Sequence, residues 1–121
     1  MTQPTATAIW FEIPAADLGR AASFYGKLFD EPVALFDLGD LKLGALPGGK
    51  GALMQHSAYQ PSHAGTLVYF DGGDDLSRLL ERVEPAGGKV LRAKTLISPE
   101  QGYMALFEDT EGNRIGIRSR G

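Results

Sequence analysis

The chain has 121 residues, a mass of 13.0 kDa, a net charge of −3 and a pI of about 5.3. That length supports one compact domain over residues 1–121, and the acidic balance argues against a nucleic-acid partner. With no cysteine and only two histidines, His56 and His63, a disulfide scaffold, a thiol nucleophile, an iron–sulfur centre and a cysteine-type zinc site are excluded.

Residues 1–6 are polar. Residues 7–13 alternate, with Ile9, Phe11 and Ile13 on one face and Ala8, Trp10 and Glu12 on the other, which is strand periodicity ended by Pro14. Asp17 is an N-cap for a helix over 18–29, whose broad apolar stripe is Leu18, Ala21, Ala22, Phe24, Tyr25, Leu28 and Phe29. Residues 32–37 and 41–46 read as a hairpin across Leu38-Gly39-Asp40, and 51–56 as another strand. A polar linker covers 57–64. The pattern then restarts with a strand at 65–70, a helix at 76–84 capped by Asp74 or Asp75 and stopped by Gly87-Gly88, strands at 89–93 and 103–108, the turn Asp109 to Asn113, and a last strand at 114–118. The 16 glycines, against a usual share of about 7%, fit short strands joined by tight turns.

Asp17, Leu18 and Arg20 are matched 58 residues later by Asp75, Leu76 and Arg78. The chain is therefore read as α+β, with two tandem βαβββ modules at about 7–57 and 64–119. Neither half can bury both its helix stripe and its sheet alone, so the halves must pair. No run reaches the ~18 apolar residues of a membrane span, and no leader pattern opens the chain, so the expectation is a cytoplasmic protein without a membrane partner.

The string IWFEIPAADLGRAASFYGKLF, with GTLVYF in the second half and ALFEDTEGNRIGI near the end, resembles the vicinal oxygen chelate superfamily. That superfamily includes glyoxalase I, bleomycin-resistance proteins, fosfomycin-resistance proteins and extradiol dioxygenases. The resemblance spans residues 7–119 and implies modules whose sheets curl around a cleft with the helices outside, commonly in homodimers. It also implies ligand positions for a divalent metal. In this chain those positions are Trp10 on the first strand, Gln55 or His56 on the fourth, Thr66 on the fifth and Gly116 on the eighth. Indole, an isolated threonine hydroxyl and glycine do not replace the ligands a divalent ion needs, so no cofactor and no metal of the family type is expected.

Strand alternation then lines the cleft. Trp10 and Glu12 share a face of the first strand. Thr66, Val68 and Phe70 face inward on the fifth, Tyr103, Ala105 and Phe107 on the seventh, and Arg114, Gly116 and Arg118 on the eighth. Trp10 reads as a stacking platform or as filler where a metal ligand would stand. Thr66, Val68, Tyr103, Phe107, Arg114 and Arg118 are the other candidate ligand-binding residues. Glu12 in an apolar cleft is expected to have a raised pKa and to serve as an acid or base, with an ion pair to Arg114 or Arg118, or a solvent-facing edge position, as the alternative. His56 is the second candidate catalytic residue, or a satisfied polar side chain at a strand end. His63, in the linker, reads as solvated.

Two further motifs fail on inspection. Gly44 to Lys50 lacks the hydroxyl residue of a phosphate loop and leads into a strand rather than a helix. Asp71 to Asp75 lacks the spacing of a calcium loop and reads as a turn with a helix cap. The leading expectation is a glyoxalase- or bleomycin-resistance-like protein that holds a small, partly aromatic organic molecule without a metal. The alternatives are a lyase, isomerase or dioxygenase with a shifted metal site at Glu12, His56 and another carboxylate such as Glu100, and a cofactor-free enzyme using Glu12 or His56.

Overall fold

A computed structural model describes residues 2–121. In chain order the elements are β1 (Phe11–Pro14), α1 (Leu18–Phe29), β2 (Ala34–Asp37), β3 (Lys42–Ala45), β4 (Gly51–Gln55), β5 (Tyr69–Asp71), α2 (Ser77–Ala86), β6 (Lys89–Ser98), β7 (Gly102–Glu108) and β8 (Arg114–Ser119). They form two mixed four-stranded sheets, ordered β1-β4-β3-β2 and β5-β8-β7-β6. In each sheet the opening strand runs parallel to the closing one, and the other pairs are antiparallel. This is the βαβββ unit used twice.

Asp17 caps α1 as its sequence position requires, its Oδ1 accepting from the Arg20 amide at 3.1 Å. α2 starts one residue later than expected. Leu76 occupies its cap position, and Asp75 instead accepts from the Ser77 amide and from Lys94 Nζ, both at 2.9 Å. Gly87, at φ 112°, ends α2 with amide bonds from Gly87 and Gly88 back to Glu84 and Val83. The first strand ends at Pro14, which is its last residue, and starts at Phe11 rather than at the expected 7. Pro14 stays in register opposite Met54, because its missing N–H falls where no ladder donor is required. β6 runs to Ser98, past the expected 93, with register irregularities opposite β7.

The core lies between the helices and one face of each sheet. Leu18, Ala21, Phe24, Tyr25 and Leu28 of α1 meet Leu76, Leu79 and Val83 at α2, with Ile13, Leu53, Ala105, Phe107, Ile115 and Ile117 beneath them. Phe11 and Phe70 cross edge to face at 5.6 Å, which sets β1 beside β5 on the core side. No helix among the described residues is long and apolar enough to cross a membrane.

The turn Asp109 to Asn113 clasps the two modules. Asp109 is buried and accepts from the Tyr25 hydroxyl at 2.7 Å and from the Glu111 amide, the Asn113 amide and Asn113 Nδ2, each at 2.9 Å. Asn113 Nδ2 also donates to the Pro14 carbonyl at 2.7 Å. Glu111 accepts from the Asp17 amide at 2.8 Å and from Arg20 Nε and Nη2 at 2.8 and 3.0 Å. The closing turn of the second module thus satisfies the start of the first module's helix.

Candidate functional site

The face of each sheet opposite the helices is only partly covered: Ala52 and Met54 are buried there, and Glu12 and Tyr69 are exposed. On β8 the buried Ile115 and Ile117 face the core, so Arg114, Gly116 and Arg118 point to the open face. Their cross-strand neighbours on β7 are Glu108, Leu106 and Met104. The phase expected for β7 is therefore reversed. Phe107 is fully buried against Phe24, with ring centroids 5.9 Å apart, and Tyr103 packs on the core beneath Lys94. Neither lines the cleft. Both alternating sets on this strand are largely apolar, and an alternation without a polar marker gives no phase by itself.

β5 is reversed in the same way. Phe70 turns to the aromatic core with Phe11, Tyr25 and Phe29, and Tyr69 takes the open face. Tyr69 pairs in register with Gly116, and its ring lies over that glycine so closely that any Cβ there would collide with it. In β1 the same pairing of ring and glycine, Phe11 over Gly51, falls on the core side. One residue of phase separates an aromatic that builds the core from one that floors the cleft.

Glu12, exposed on β1, is held by two aromatic donors. The Tyr59 hydroxyl donates to Oε1 at 2.6 Å and Trp10 Nε1 to Oε2 at 3.1 Å. The tyrosine bond first, then the indole bond, keep this carboxyl below its ordinary 4.5. The expected raised pKa is corrected: Glu12 is a carboxylate at neutral pH, without the held proton of a general acid. Its partners are Tyr59 and Trp10 rather than Arg114 or Arg118. Trp10 itself precedes β1 and is about half exposed, at 48%. Ile9, expected under the helix, is 80% exposed.

Thr66 and Val68 precede β5 rather than belong to it. With Glu12, Gln60, Ser62 and Arg114 they line a cavity of about 150 Å³ at the seam between the modules. Arg118 sits elsewhere. Its Nη2 donates to the Gln101 carbonyl and side chain at 2.9 and 2.8 Å, beside a 450 Å³ cavity shared with Tyr69 and Glu100. His56 lies just past β4. Its Nδ1 accepts from the Ala58 amide at 3.0 Å, and it borders a third cavity, of 340 Å³, with Tyr59 and Gln60. His63 is half exposed, 3.6 Å from Glu108.

At two of the positions where the resemblance expects metal ligands, the side chains are engaged in hydrogen bonds within the chain. The Trp10 indole donates to Glu12, and Gln55 Oε1 is occupied by the Leu18 amide at 2.7 Å. Tyr69 fills the space a side chain at Gly116 would need. The shifted set does not assemble either, since Glu12, His56 and Glu100 border different cavities. No group of three His, Cys, Asp or Glu placed to hold an ion occurs among the described residues.

Sequence reasoning missed Tyr59 and Tyr69. Tyr59 sits in the polar linker, where no periodicity marks it. Tyr69 alternates with Phe70, and two adjacent aromatics leave the strand's phase undecided.

Residues 7–117 match the family model described as the Glyoxalase/Bleomycin resistance protein/Dioxygenase superfamily. A "Glyoxylase-like domain-containing protein" of Didymella fabae is 30% identical over 118 residues, covering 90% of each chain. Among solved structures, a glyoxalase/bleomycin resistance protein/dioxygenase family enzyme from Burkholderia phytofirmans PsJN superposes with a TM-score of 0.69 at 17% identity, over 96% of this chain and 100% of that one. TnmS3, an antibiotic binding protein from Streptomyces sp. CB03234, superposes with a TM-score of 0.64 at 21% identity, over 99% and 100% of the two chains.

Proposed function

The chain belongs to the glyoxalase/bleomycin resistance protein/dioxygenase superfamily, and from that premise we propose that it binds a small, partly aromatic organic molecule on its open face without a resident metal ion. The observation that carries this reading is the Tyr69 ring laid over Gly116. Where the family resemblance expects a metal-binding carboxylate, this chain has an aromatic floor that a planar ligand can stack on.

Trp10 and Tyr59 add aromatic surface around the Glu12 carboxylate, which supplies an acceptor for a ligand hydroxyl or amine. That TnmS3, a fold neighbour, is an antibiotic binding protein agrees with sequestration. Exposed Leu35, Phe36 and Leu38 at one outer edge, and Leu91, Leu96 and Ile97 at the other, agree with a homodimer. A metal-dependent lyase or dioxygenase has no comparable support, because its three candidate ligands border separate cavities.

The test uses chelator-dialysed protein titrated with a panel of planar aromatic antibiotics, read by Trp10 fluorescence and thermal denaturation. A ligand at a hundred times its Kd adds about 2.7 kcal/mol to stability, so the melting temperature is expected to rise by several degrees, and Tyr69→Ala to abolish the rise. No rise with any compound, or one that needs added divalent metal, overturns the reading.

A further inference from the structure

The Nε of Arg114 is buried and has no hydrogen-bond acceptor among the described residues. A buried donor on a charged group is costly to leave unmade, and native structures rarely do so without a reason. Glu108, directly across the β7–β8 ladder from Arg114, is placed to neutralise it. Its carboxylate instead lies 3.6 Å from His63. The backbone leading into Arg114 is fixed. Its own amide donates to the Ser62 carbonyl at 3.3 Å, and the preceding Asn113 is locked to Asp109 and the Pro14 carbonyl. Arg114 also lines the 150 Å³ seam cavity.

We propose that Arg114 is the receptor for the carboxylate of a small monoanionic organic acid, whose charged head enters the seam cavity while its body lies on the open face. The proposal rests on the cleft-binding reading above and adds the ligand's charged group. A guanidinium offers parallel N–H donors that match the two oxygens of a carboxylate. The cavity holds a carboxylate and a short stem. Glu12 borders the same cavity, and its charge opposes a phosphate dianion more strongly than a monoanion, which favours a monocarboxylate beside Arg114. The lone pairs that Tyr59 and Trp10 leave free on Glu12 accept from a hydroxyl or amine on the same ligand.

The test records the arginine Nε–H signals of the intact, metal-free protein at pH 7 by ¹H–¹⁵N NMR, with the Arg114 resonance assigned by its loss in Arg114→Lys. Sodium benzoate is expected to shift the Arg114 signal and saturate. Neutral benzamide and inorganic phosphate at equal concentration are expected to leave it in place. Arg114→Met is expected to weaken benzoate binding, read by Trp10 fluorescence, on the order of tenfold to a hundredfold. If that variant does not fold, the wild-type Nε–H titration decides. An Nε–H signal that benzoate does not move, or benzamide binding as tightly as benzoate, overturns the proposal. Binding of the aromatic panel without any response at Arg114 overturns the carboxylate receptor alone and leaves the cleft-binding reading standing.

Discussion

The clasp at Asp109 to Asn113 and the open face around Tyr69 and Arg114 use the same side-chain chemistry to opposite ends. In the clasp, Asp109 accepts from a tyrosine, an asparagine side chain and backbone amides, and Glu111 takes two bonds from Arg20. On the open face, Tyr69 is 41% exposed and the buried Nε of Arg114 lacks a partner. Polar groups matched within the chain hold the modules together, and those left over remain available to something outside it.

The sharpest way to break this contrast is Asp109→Ala. It strands the buried Tyr25 hydroxyl and frees the turn, and at roughly 1–3 kcal/mol for each buried group left unpaired a loss of about 3 kcal/mol is expected in urea denaturation. A loss below about 1 kcal/mol would show that the clasp does not carry the module contact.

Gly116→Ala comes next. Its Cβ collides with the Tyr69 ring, and because that ring is partly exposed it can swing aside, so the cost is expected near 1–2 kcal/mol. In a Tyr69→Ala background the cost should largely vanish, leaving a coupling term in the double-mutant cycle. Equal cost in both backgrounds would remove the ring from the glycine.

The smallest effect separates the two carboxylates. Burial pushes the Glu111 carboxyl up, but the bonds from Arg20, the Asp17 amide and Thr110 pull it further down, below its ordinary 4.5. A pKa lowered on folding contributes stability that is full above the unfolded value and is lost as pH falls through the folded one. Stability should therefore decline below about pH 4.5, and Arg20→Met should flatten the part due to Glu111, modestly because Arg20 is half exposed. Tyr59→Phe raises the Glu12 carboxyl toward its ordinary value, which NMR titration reads, and because Glu12 is exposed it should change the stability profile less than Arg20→Met does. A profile altered equally by both variants would erase the distinction between clasp and open face.

Much of the fold was legible before any coordinates. The strand at 114–118, the helix at 18–29, its Asp17 cap and the glycine stop of the second helix follow from local periodicity and backbone chemistry, and all were found close to where they were expected. The site was legible only where a strand carried a polar marker. Arg114, Gly116 and Arg118 alternate with two isoleucines, which fixes their face. Tyr69-Phe70 and the run from Tyr103 to Phe107 lack such a marker, and both phases came out opposite to expectation.

The sequence by itself determined the repeat, the element order and the family, because each depends on residue type at a local spacing. Only the tertiary structure decided which aromatic covers Gly116, which donors hold Glu12, and which guanidinium is left without an acceptor. Those outcomes depend on contacts between segments far apart in the chain. A half-turn of strand phase, too small to register in composition or periodicity, moves a ring from the core to the cleft.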